Sequence, residues 1–234
     1  MAPHCVDSNL MADQNDSELA EREEEPQDRA ETEAGSSAPA LDPEILARRD
    51  AALAQVVKLG DPVLNSKASP VSDFDAALEA EVERMTSIMQ DALGVGLAAT
   101  QLGILRRLLV FQAGSDAEPS AIVNPRIEWF SEDVVVAEEG CLSIPRVTVD
   151  VERALHARVS GVDQCGEPLL IEASGLEARV LQHEIDHLDG VLILDRTTQE
   201  QRKGALRAVR EGGEYSPPTT EAEEALQGEA AAAA

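Results

Sequence analysis

Aromatic side chains are scarce in this sequence: three Phe, one Trp and one Tyr among 234 residues. With 43% apolar residues, a core is affordable, but it must be built from Leu, Val, Ile, Ala and Met. No apolar run reaches the ~18 residues a membrane span needs. Cysteine is also sparse, and Cys5, Cys141 and Cys165 show no spacing of a disulfide framework. Such usage suits a reducing compartment. The opening MAPHCVDSNLMADQ has neither a secretory nor an Arg-rich transit pattern, so a soluble, cytoplasmic protein is expected. Bases are outnumbered, 19 against 45 acids for a net charge of −26, which argues against DNA or general nucleic-acid binding.

The acids are concentrated at the ends. Residues 1–44 hold 13 acids against two bases, and residues 211–234 hold six against none. Residues 1–42 and 212–234 are therefore expected to be disordered extensions flanking one catalytic domain at 43–211. Asp42-Pro43 reads as a helix start, with the proline in the first turn. Asp73 or Asp75 caps a second helix whose buried stripe is Leu78, Val82, Met85, Met89 and Leu93. Short β-type runs follow at 108–111, 121–123, 127–130, 134–137, 155–161 and 168–173, with a hairpin tip at Asp163–Gly166. Helical period returns at 175–189, stopped by Gly190, and again at about 197–211. Strands grouped between helices predict an α+β fold, its antiparallel or mixed sheets packed around a central helix.

That central helix contains His183-Glu184-Ile185-Asp186-His187. Residues four apart on a helix share a face, so the two imidazoles converge on one metal ion. Glu184 sits one residue from His183, need not ligate, and can take a proton from a water at the metal and pass it to a leaving group. Two ligands do not complete a site. The protease variant with a third histidine six residues on meets Ile193, and the variant with a downstream glutamate offers Glu200, or Glu211 and Glu214 in the tail. His4 and His156 lie in the extension and on a predicted strand. Cys141, in Glu139-Gly140-Cys141-Leu142-Ser143 directly after a strand, is the upstream candidate. A thiolate and two imidazoles would leave a fourth position open for water. Cys165 lacks any such context and reads as a small apolar residue. In Gly94-Val95-Gly96-Leu97-Ala98-Ala99-Thr100-Gln101 the glycines permit close backbone approach, and Gln101 can offer an amide N–H to an oxyanion. Taken alone, that segment is a turn with no phosphate-loop lysine.

GVGLAATQ, EGCLS and HEIDH, in this order, resemble the three signature motifs of the peptide deformylase family. KLGDPVLNSKASPV before them and LDGVLILDR after them extend the resemblance over roughly residues 53–200. It implies removal of the formyl group from the formylmethionine of nascent polypeptides, with formate as product. It also implies a ferrous ion, replaceable by zinc, nickel or cobalt, on Cys141, His183, His187 and one water. Glu184 would be general base and then acid, with Gln101 and the Leu142 backbone N–H stabilising the oxyanion. Gly94, Val95 and Gly96 would pair with an extended substrate, and Val95, Leu142 and Val180 would wall the methionine pocket. Arg153 resembles a family position near the site, with a surface ion pair as its alternative role.

Two departures stand out: the acidic extension, and Arg179 where an apolar residue would be unsurprising. Arg196, Arg202, Lys203, Arg207 and Arg210 form the one basic cluster, a candidate ribosome contact or a solvated helix face. Rival readings are a metallopeptidase indifferent to Cys141 and a protein in which the metal only staples the fold. The second would need a fourth protein ligand.

Overall fold

The computed structural model describes residues 42–114 and 117–218. Apart from Asp42 and residues 212–218, the expected extensions at 1–42 and 212–234 lie outside the described residues. Helix α1, Pro43–Leu53, starts on Asp42, whose carboxylate accepts the Glu44 N–H. Helix α2, Ala76–Asp91, starts on Asp75, which takes the N–H groups of both Ala77 and Leu78. These bonds satisfy amides that the first helical turn would otherwise leave unpaired. The buried stripe of α2 is Leu78, Met85, Ile88 and Met89. Leu93 does not extend it, contrary to expectation: the helix ends at Asp91 with Ala92 as its cap, and Leu93 turns left-handed (φ 58°) and is 54% exposed.

The strands are β1 Gly96–Ala98, β2 Leu108–Phe111, β3 Ser120–Phe130, β4 Val134–Cys141, β5 Ile144–Ala154, β6 His156–Val162 and β7 Pro168–Ser174. Five of them form one sheet in the order β1-β2-β3-β6-β7, while β4 and β5 form a separate hairpin. All these pairings are antiparallel. The runs at 121–123 and 127–130 belong to one strand, β3, with register shifts between them. Strand β5 was not anticipated, although Val147, Val149 and Val151 carry the alternation of a half-buried strand.

Helix α3, Gly175–Leu188, packs Ala178, Leu181, Ile185 and Leu188 against apolar residues of the five-stranded sheet, among them Leu109, Ile122 and Val159. A separate cluster joins the hairpin valines to Ile193, Leu194 and Ala205, the last on helix α4, Gln199–Glu211. Of the tail expected at 212–234, residues 212–218 are described. Gly212 closes α4 in the left-handed conformation, and Tyr215 bridges to Val147 of β5. The architecture places the second half of α3, edge strand β1 and the end of β4 around one opening.

Candidate metal centre

Strand β4 alternates its side chains, so Glu139 and Cys141 share a face. Their partners come from α3, where His183 and His187 are one turn apart. The Cys141 Sγ and one ring nitrogen of each histidine lie within 4.8 Å of one another. Cys141 Sγ is 3.2 Å from His187 Nε2. Burial pushes the Cys141 thiol up, but the neighbouring His187 and His183 rings outweigh it and hold the thiol well below its ordinary value. Burial lowers His183, while Cys141, Glu139 and Glu184 raise it further, leaving it well above the ordinary imidazole value. So electron-rich a cluster, with one soft and two borderline donors, suits a divalent transition metal. The three residues fit such an ion.

Behind the ligands stands a buried ionic network that the sequence reading did not anticipate. His183 Nδ1 donates to Glu139 Oε2 at 3.0 Å, which fixes its tautomer and leaves Nε2 for the centre. Arg153 donates to both oxygens of Glu139 at 3.0 Å, and Arg179 adds a bond of 2.7 Å. Burial pushes the Glu139 carboxyl up, but His183 and Arg153 outweigh it and hold it at about 2. Arg153 also donates to Asp186 at 2.5 Å, and Asp186 accepts twice from Arg196. Arg179 further reaches the carbonyls of Val135, Ala137 and Val151, tying α3 to the hairpin. The shared face of Glu139 and Cys141 was a readable signal for this network. The pairing of β4 with β5 that brings up Arg153 was not.

Glu184 faces the other way. It is 4% exposed, its Oε2 has no hydrogen-bond partner, and burial raises its carboxyl above the ordinary value. A Cβ on Gly96 would overlap the Glu184 side chain, so any larger residue here would displace that carboxylate. Gln101 is held by the Ala98 N–H on its Oε1 (2.9 Å). That contact orients the amide, and Nε2 points at Cys141 Sγ (3.6 Å) and Ser143 Oγ (3.5 Å).

A cavity of about 540 Å³ opens onto this group. Gly94, Val95, Gly96, Leu142 and Val180 line it, as does Leu93, which the sequence reading had assigned to the core. Arg153 lies behind the ligands rather than in the lining, and is 6% exposed. Lys58, also unanticipated, donates to the carbonyls of Leu53 and Leu142 and ties α1 to the segment after Cys141. Of the basic cluster, Arg196 is bound to Asp186 and Arg202 to Asp195. Cys165 is half-buried at the β6–β7 tip rather than in the core. Among the described residues, no helix is long and apolar enough to cross a membrane.

An α+β fold that gathers a cysteine and two histidines beside a buried carboxylate with an unpaired oxygen, in an open cleft, has the features of metal-dependent hydrolases. The model of the polypeptide deformylase family matches residues 53–203, and the chain belongs to that family, whose members remove the N-formyl group from nascent peptides. The chain is 47% identical over 152 residues to a peptide deformylase of Acidothermus cellulolyticus, covering 65% of this chain and 83% of the relative. It is 45% identical over 161 residues to peptide deformylase 1 of Corynebacterium glutamicum, covering 68% and 95%. Solved structures agree. The Synechococcus elongatus enzyme in complex with actinonin aligns with a TM-score of 0.63 at 40% identity, covering 68% of this chain and 87% of that one. The Thermotoga maritima enzyme aligns with a TM-score of 0.59 at 45% identity, covering 61% and 96%.

Proposed function

We propose that residues 43–211 form the catalytic unit, with Cys141, His183 and His187 holding a ferrous ion that zinc, nickel or cobalt can replace. The observation that carries this reading is the convergence of the three donor atoms within 4.8 Å, beside a buried carboxylate with an unpaired oxygen. The bound ion supplies Lewis acidity and makes a water nucleophilic at neutral pH. The chain's own residues do the rest. The substrate peptide lies extended between Gly94–Gly96 and the β4 rim, and its methionine side chain enters the cavity beside Val95, Leu142 and Val180. Gln101 Nε2 and the Leu142 backbone N–H donate to the formyl oxygen as it gains charge. Glu184 accepts the proton of the attacking water and returns it to the amine nitrogen as the C–N bond breaks. Its raised affinity for protons suits both transfers. Formate and a free α-amine leave. Arg153 serves the substrate indirectly, by holding Glu139 against His183.

Protein purified without oxygen should release formate from formyl-Met-Ala-Ser and leave the peptide bonds of an internal-sequence peptide intact. Cleavage of those bonds without formate release would favour the metallopeptidase reading. The same reading places the enzyme in the cytoplasm, where nascent chains emerge. It also gives α4 a ribosome contact through Lys203, Arg207 and Arg210, which make no ion pairs among the described residues. Charge reversal of these three should reduce ribosome co-sedimentation, and unchanged co-sedimentation would remove that contact.

A further inference from the structure

The family match ends at residue 203, yet the chain beyond it returns to the cleft. Past α4 the backbone runs beside the start of β5. The Tyr215 N–H donates to the Arg146 carbonyl at 3.0 Å, and the Thr148 N–H donates to the Tyr215 carbonyl at 2.8 Å. Thr148 Oγ1 also donates to Ser216 Oγ at 3.1 Å. The Tyr215 ring lies over Gly204 of α4 so closely that a Cβ there would overlap it. The ring also packs with the cluster that contains Ile144, Val147 and Cys141. The backbone segment held in this way is strained: Arg146 adopts φ 62°, a conformation that non-glycine residues take at an energetic cost. Arg146, Val147 and Thr148 line the cleft, a few residues after Cys141. A strained wall persists only where its surroundings over-determine it, and here the surroundings include a segment outside the family match.

We propose that Glu214–Ser216 is a strap that fixes Arg146–Thr148 as one wall of the substrate cleft. Tyr215 is its positioning residue, and Arg146 is the side chain it presents to the peptide beyond the formylated residue. This rests on the deformylase reading for its substrate, but not for its geometry. The strap's hydrogen bonds run to Arg146 and Thr148 rather than to the donor atoms of the centre or to Glu184, so its loss weakens peptide binding and spares the chemical step.

The test compares the full chain with chains ended after Pro218 and after Gly213, using formyl-Met-Ala-Ser. Ending after Pro218 should change neither KM nor kcat. Ending after Gly213 should raise KM about fivefold while kcat and bound metal stay within about twofold. Arg146→Ala should raise KM similarly, and combining it with the shorter chain should add little, because both act through one contact. If the shorter chain does not fold, Tyr215→Ala and Gly204→Ala in the full chain should give the same rise in KM. An unchanged KM, a fall in kcat alone, or multiplying effects of the two changes would overturn the strap. Amide exchange measured without substrate separates this from failure of the functional reading. The Thr148 N–H should exchange at least about tenfold faster once Tyr215 is gone. An unaltered rate would overturn the strap even in an active enzyme, and faster exchange in an inactive one would leave the strap standing while the deformylase reading fell.

Discussion

Two buried carboxylates flank His183, and their surroundings drive them in opposite directions. Glu139, behind the ligands, receives Arg153 on both oxygens, Arg179 on one and His183 on the other, and is held at about 2. Glu184, in front, has an oxygen without a partner, and burial raises its affinity for protons. A carboxylate saturated with donors is a fixed negative post that orients a ligand. One left unsatisfied beside the reacting centre holds a proton more readily and can pass it on. Removing water from a carboxylate therefore does not by itself decide its role; the donors that replace the water do.

The comparison is broken most severely by Glu184→Gln. Formate release should fall by about 10³-fold or more, with metal content unchanged on the same sample. The metal-free variant should not lose Tm, since a carboxyl with a raised value costs stability above its ordinary value. Glu139→Gln should behave in the opposite way. It leaves the Arg153 and Arg179 guanidinium groups short of a partner and should cost about 3 kcal/mol or more, read from denaturant midpoints. Metal affinity, measured by competition with a chelator, should weaken about 10- to 100-fold through the loosened His183.

Acid should reveal the same asymmetry. Because the folded value of Glu139 is depressed from 4.5 to about 2, its contribution is fully present above pH 4.5 and is lost as pH falls from 4.5 to 2. That contribution is about 3 kcal/mol. The midpoint of urea unfolding of the metal-free protein should drop across that window, and Glu139→Gln should flatten the drop. The smallest effect belongs to the outer edge of the network. Arg196 pairs with Asp186, but its side chain is 47% exposed, so Arg196→Ala should change stability by less than about 1 kcal/mol. Formate release should stay within about twofold.

Much of the front of the site is legible in sequence, because its chemistry is local. His183 and His187 share a helical face by spacing alone, and Gly96 and Gln101 sit in one short segment. The back is harder to read. Glu139 stands in the same short motif as Cys141, but its role depends on β4 meeting α3. Arg153 joins it only through the pairing of Val135 with Arg153 across the hairpin. Leu93 misleads because it continues the spacing of the α2 stripe, whereas the helix ends at Asp91 and the chain then turns to form the cleft rim. Tyr215 gave no signal at all. It is a lone aromatic in an acidic stretch, and its partner strand lies some 70 residues upstream.

The account depends on a thiolate from the β4 hairpin meeting the imidazoles of α3 at one ion. Absorption spectroscopy of the cobalt-substituted protein tests this directly. A sulfur-to-cobalt charge-transfer band should be present in the wild type and lost in Cys141→Ser. A wild-type spectrum with no such band would contradict the assignment of Cys141 and the mechanism built on it.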